Sequence, residues 1–160
     1  MKYSTGWGKA RMDDSPLRTI ADDGFIKIYG GSGVTPPASA DAAVTGTLLA
    51  TISLNSSGTG LTFDTSVNNP VTFVTDSAGL KYAVLTKPPA ATWSGLIAAS
   101  GDAVYFRYVK AGDTGALSTT DIRAQGTIGV SAADMLWTNI ALVSGNTKAI
   151  NLFQFKSLLG

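Results

Sequence analysis

Short apolar runs separated by clusters of Gly, Ser, Asp, Asn and Pro recur along most of the chain. That pattern predicts a succession of strands and turns rather than helices. Phe25–Tyr29 is the first run, closed by Gly30-Gly31-Ser32-Gly33. A long Ala- and Pro-rich loop, 34–46, separates it from Thr47–Leu54. There Leu48, Ala50, Ile52 and Leu54 alternate with Thr47, Thr51 and Ser53, as one-sided burial of a strand requires, and Leu49 is the exception.

Further runs follow at Leu61–Phe63, Val71–Thr75 and Leu80–Thr86, with a loop over Ser66–Pro70 and a tight turn at Asp76-Ser77-Ala78-Gly79. Trp93–Ala98, Ala103–Lys110, Ile122–Val130, Leu136–Val143 and Ala149–Phe155 complete the set. In Ala103–Lys110 the residues Val104, Phe106 and Tyr108 share one face. In Ile122–Val130 the inward set is Ile122, Ala124, Ile128 and Val130, and the outward set is Arg123, Gln125 and Thr127. Gly126 and Gly129 interrupt that run and predict a bulge or a close backbone approach.

Roughly eight to ten strands place the chain in the all-β class. The expected architecture is an antiparallel double-sheet sandwich, jelly-roll-like, with an eight-stranded barrel as the rival. Residues 1–12 show no periodicity and read as an extended N-terminal arm. A short helical turn from Ser15-Pro16 through Leu17 and Ile20, stopping at Asp22-Asp23-Gly24, leads into the strands. The division is therefore an arm over 1–24 and a β-sandwich domain over 25–160, with no internal repeat.

Composition narrows the chemistry. The chain has no Cys and no His, and all 11 acidic residues are Asp. Thiolate zinc sites, imidazole bases and Ser-His-Asp triads cannot be assembled from one such chain. Two-carboxylate chemistry would have to run on Asp alone. Charged residues make up 14% of the chain, against about 25% in ordinary soluble domains, so the surface is expected to be covered by other protein. A net charge of +1 without basic runs argues against nucleic acid as main partner. The mean hydropathy is +0.18, yet no apolar stretch reaches the about 18 residues of a membrane span. No secretory h-region is visible at the N-terminus, and the lack of Cys fits a reducing compartment. Asn55-Ser56-Ser57 matches a glycosylation sequon, a match common by chance.

The candidate sites mostly have plain readings. Asp13-Asp14 and Asp22-Asp23 are helix-end charges. Gly30-Gly31-Ser32-Gly33 lacks the following helix and Lys of a phosphate loop and reads as a turn. Asp102, Asp113, Asp121 and Asp134 sit at strand ends without the spacing of a calcium loop. Trp93, Trp137, Tyr105, Phe106 and Tyr108 read as core, the rival being a stacking face for sugars or bases. Catalytic, metal and cofactor-binding residues are expected to be absent. Partner contacts are expected at Tyr3 and Trp7, as anchors of the arm in an adjacent subunit, and at outward-facing Arg107 and Arg123.

Several stretches carry a likeness: Phe25-Ile26-Lys27-Ile28-Tyr29 and its Pro/Ala/Asp loop; Gly46-Thr47-Leu48-Leu49-Ala50-Thr51-Ile52; and Trp93-Ser94-Gly95. To these add Phe106-Arg107 with its Gly-Asp turn, and Arg123-Ala124-Gln125-Gly126-Thr127-Ile128-Gly129 leading to Ala133-Asp134-Met135. Together, over roughly residues 25–155, the chain resembles a group of small virion proteins of tailed bacteriophages. Residues 1–12 and Thr59–Asp76 depart from that pattern. The resemblance implies a non-enzymatic structural protein. Its expected role is a capsid decoration, or cement, protein bound between major capsid subunits. Its expected partners are the major capsid protein and copies of itself, and its place is the capsid surface of a virion assembled in the bacterial cytoplasm. Tail, neck and baseplate proteins are the alternatives it leaves open. From other classes, a carbohydrate-binding module would need a solvent-facing row such as Trp93 and Trp137, and an Asp-only glycosidase or lyase would need a residue such as Asp102 or Asp134.

Overall fold

The computed structural model describes residues 1–13, 16–63 and 72–159. The chain is mostly antiparallel β, with two short helices near its start. In chain order the elements are β1 (Lys2–Tyr3), α1 (Thr5–Met12), α2 (Leu17–Ala21), β2 (Gly24–Gly30), β3 (Thr47–Leu54), β4 (Thr72–Thr75) and β5 (Lys81–Thr86). They continue with β6 (Trp93–Leu96), β7 (Gly101–Lys110), β8 (Arg123–Gly129), β9 (Met135–Leu136), β10 (Ala141–Leu142), β11 (Thr147–Ile150) and β12 (Gln154–Leu159). The larger sheet runs β1-β8-β7-β2-β3-β6-β11, with β9 on β8 and β10 on β7. The smaller runs β12-β5-β4. β8 and β9 run parallel, the one such pair among the described residues.

The sheets meet through aromatic rings. Phe155 of β12 packs edge-on against Tyr108 of β7, centroids 5.1 Å apart. Phe153, in the crossing between β11 and β12, reaches Phe106 at 5.5 Å and Phe155 at 5.0 Å. Phe63 meets Trp93 at 5.0 Å and 82°. Offset and edge-to-face contacts of this kind add to the area that the rings bury.

A bulge explains the one break in the β3 alternation. Ile28 lies opposite Ala50, but Tyr29 lies opposite Leu48, so Leu49 is the extra residue. It turns into the core and is fully buried, while Leu48 is 39% exposed. Gly126 fulfils its close-approach reading, since a Cβ there would meet the Phe106 ring and Asp134.

The N-terminal segment differs from expectation. Residues 5–12 are not an extended arm but the helix α1. Ser4 caps it, its hydroxyl accepting from Trp7 N at 3.0 Å. The Asp41 carboxylate accepts from Thr5 N and Oγ1, so a second orphan N–H of the first turn finds an anion. Trp7 is 2% exposed and packs on Tyr108 and Phe155, which makes it part of the core rather than an anchor held out to a neighbour. The helical turn Leu17–Ala21 forms as expected, with Pro16 at its start; Asp14 and Ser15 lie outside the described residues.

Arg107 and Arg123 require a second correction. Both were expected to face outward, yet both are fully buried. The reason is the loop 31–46, which lies across the outer face of β7 and β8 and needs partners for its carbonyls. Arg107 donates to Ala42 O at 2.9 Å and to Gln125 Oε1, and Gln125 donates to Pro37 O at 2.8 Å. Tyr105 OH bonds both N and O of Thr45. The central strands are therefore covered on both faces, one by apolar rings and one by a hydrogen-bonded polar layer.

Smaller differences follow from chain direction. Leu136–Val143 splits into β9 and β10, which pair with different strands, and Ala149–Phe155 breaks where the chain leaves one sheet for the other. Among the described residues Leu61–Phe63 contributes a single bridge, Gly24 to Leu61. Val130, expected inward, is 64% exposed beyond the end of β8. The expected loop Ser66–Pro70 lies outside the described residues.

Candidate functional site: a groove between two strand edges

β1 and β9 both lie along the outer edge of β8, and β11 closes the opposite end of the larger sheet. Between them opens a groove of about 730 Å³, floored in part by residues leading into β12. Its walls include Tyr3, Leu136, Trp137, Lys148, Leu152 and Lys156. The volume lies in the usual range of small-ligand clefts, about 300–1,000 Å³.

Each wall residue is placed by its strand. Tyr3 extends from β1, stacks obliquely on Trp7 at 4.9 Å and donates its hydroxyl to Lys156 O at 2.9 Å. Burial pushes its phenol up to about 12, so it is a donor and not a base at neutral pH. Trp137 is half-buried, and Lys148 Nζ from β11 sits 3.8 Å from its ring centroid, a close cation–π contact. Desolvation there holds the Lys148 ammonium below its ordinary value. Leu136 and Leu152 are 62% and 66% exposed, large apolar side chains left uncovered in the groove lining.

The one acid on the wall is committed. Asp134 accepts from Thr127 N and Oγ1, and from the amino group of Met1 at 2.5 Å. Partial burial pushes its carboxyl up, but these donors outweigh that and hold it below the usual carboxylate value. Among the described residues no group of three or more acidic side chains comes together that could hold a metal ion.

Several other sequence candidates make contacts within the fold. Asp113 grips Arg123 with both oxygens, at 2.6 and 3.0 Å, and Asp121 adds a third bond at 2.9 Å. Asp22 Oδ1 accepts from Phe63 N. Gly31 and Gly33 adopt positive φ in the turn after β2. Tyr105 stacks on Tyr29 at 5.1 Å. Trp93 is fully buried, so Trp93 and Trp137 do not form a solvent-facing row. Of the four expected partner-contact residues, only Tyr3 reaches the groove; Trp7, Arg107 and Arg123 are interior.

Leu136, Lys148 and Leu152 were missed as groove residues. Leu136 opened an expected strand and Leu152 fell within one, so their exposure was not visible. Nothing in the local sequence of Lys148 marks it apart from other strand lysines.

One further cation lies inside. Lys87 is 6% exposed; its Nζ donates to Pro88 O at 3.2 Å, its one acceptor among the described residues, and sits 5.9 Å from the Trp93 ring. The buried indole N–H of Trp93 has no acceptor among the described residues. No helix among the described residues is long and apolar enough to cross a membrane. No family model, no curated protein and no solved structure matches the chain.

Proposed function

We propose that this chain is a non-enzymatic structural protein of a tailed-phage particle, acting as a capsid decoration protein that binds between major capsid subunits. Its two sheets are read as a jelly-roll-like sandwich. The observation that carries the reading is the groove, where strand edges and uncovered Leu136 and Leu152 lie together. Exposed apolar side chains beside an open sheet edge favour burial against another chain. The low charge of the surface and the resemblance over residues 25–155 point the same way. Repetition on a symmetric lattice would let modest single contacts act together.

The test is the copy number in purified particles, by quantitative mass spectrometry against the major capsid protein. Hundreds of copies per particle support decoration of the head. A dozen or fewer would move the protein to the neck or tail tip, and absence from particles would overturn the reading.

A further inference from the structure

We propose that the groove between β9 and β11 takes an extended acidic and apolar segment of another protein chain as an added strand on β11. The inference deepens the assembly reading and rests on it, because it names what the groove holds.

Three observations carry it. First, among the described residues β11 pairs only with β6 and β9 only with β8, so each wall presents a strand with one side unpaired by them. Peptide recognition by strand addition uses such an edge, with backbone hydrogen bonds for affinity and side-chain pockets for selection. The 4 residues of β11 span about 13 Å at about 3.3 Å per residue, enough for a short segment.

Second, the side chains beside that edge are apolar. Leu136 and Leu152 stand exposed among the residues that line the groove, together with Tyr3 and Trp137. Alternate residues of an added strand would meet these side chains. A sugar is the poorer occupant, because Lys148 Nζ already lies over the Trp137 ring on which a pyranose would stack. The Asp134 carboxylate that would bind its hydroxyls is taken by Thr127 and Met1.

Third, the charge is one-sided. Neither Lys148 nor Lys156 is in an ion pair among the described residues, while Asp134 is neutralised in place. The groove therefore presents two uncompensated ammonium groups to an incoming segment, and complementarity selects acidic side chains.

The experiment titrates the full-length 15N-labelled protein with a blocked hexapeptide, acetyl-Val-Asp-Leu-Asp-Val-Thr-amide, and follows amide shifts. Three further probes run alongside it: the same peptide with Lys in place of Asp, the acidic peptide N-methylated at alternate residues, and maltohexaose. Saturable shifts are expected at 147–151 and 135–137 with the acidic peptide. Affinity is expected to be at least about tenfold weaker for the lysine peptide, with the gap closing in about 0.5 M salt. N-methylation and Lys148→Gln should each lose most of the binding. Lys148 lies at the rim of the fold, and an unchanged amide spectrum away from β11 checks that the variant is folded. Equal binding of acidic and basic peptides, indifference to N-methylation, binding of maltohexaose alone, or no saturable shift would each overturn the proposal. Particles that carry the protein although it binds no peptide overturn this inference alone. Peptide binding by a protein absent from particles supports the groove assignment and overturns the assembly reading.

Discussion

Arg123 and Asp113 form a two-pronged ion pair, Nε to Oδ2 at 2.6 Å and Nη2 to Oδ1 at 3.0 Å, with side chains 0% and 3% exposed. Arg107, buried on the same face, has no carboxylate of its own and relies on Gln125 and Ala42 O. Desolvation and the nearby Arg123 charge hold the Arg107 guanidinium below its ordinary value, although it stays protonated. Asp113 is thus the main counter-charge for two buried cations. Removing it by Asp113→Asn should cost about 3 kcal/mol of unfolding free energy, because breaking one half of a buried pair strands the other. Asp121 also touches Arg123 but is 44% exposed, so Asp121→Asn should cost less than about 1 kcal/mol. Urea unfolding of the two variants checks the ratio, and equal losses would contradict it.

The start of the chain is part of the core. Trp7 packs on Tyr3, Tyr108 and Phe155, so Trp7→Ala should cost about 3–5 kcal/mol. Ser4→Ala removes the helix cap and the acceptor of Arg123 N, for a loss of about 1–2 kcal/mol. Deletion of residues 1–12 should therefore lower the melting temperature sharply or abolish folding. A truncated protein that melts like the parent would contradict this placement.

Lys87 is a buried ammonium with one backbone acceptor, and desolvation lowers its pKa. The unfolded chain then binds the proton more tightly than the folded one. Stability rises with pH from the folded value towards the unfolded value of about 10.4, and below that window the cost of the buried charge is present in full. Lys87→Met keeps the stem and removes the charge, and should raise stability at pH 7. The advantage should shrink as pH rises. Thermal melts of both proteins across the alkaline range read the trend.

Asp134 shows the opposite case. Its lowered carboxyl pKa contributes stability above the unfolded value, and that contribution is lost as pH falls through the folded value. Asp134→Asn should therefore be destabilising at neutral pH. The difference from the parent should fade below about pH 4. A gap in melting temperature that stays constant down to pH 2 would show that the ionised form plays no part.

The strands that alternate cleanly were legible: Phe25–Tyr29 and Thr47–Leu54 became β2 and β3 with nearly the expected ends. The turn at Asp76 was legible for a local reason, as its carboxylate accepts from Ala78 N and Leu80 N and Gly79 takes positive φ. The helix α1 was not. Its cap is local, but the anion at its N-terminus is Asp41, which no local pattern links to Thr5. Arg107, Arg123 and Gln125 read as outward because polar residues at alternate strand positions usually face water. Here a loop without regular structure covers that face, and the polar side chains satisfy its carbonyls. The groove was illegible because nothing local says that β9 pairs with β8 while β11 joins β6 at the other end of the sheet, or that Tyr3 comes back to line the space between. Tyr3 was expected on an extended arm, whereas it lies in β1, paired with β8.

If the protein works by assembly, the groove is covered when it is at work. Hydroxyl-radical footprinting of the purified protein and of intact particles, read at Trp137, Leu136 and Leu152, measures that directly. Strong labelling in the free protein and loss of labelling at all three in the particle is the expected result. Equal labelling in both states would contradict the claim that this face is where the protein meets its neighbours.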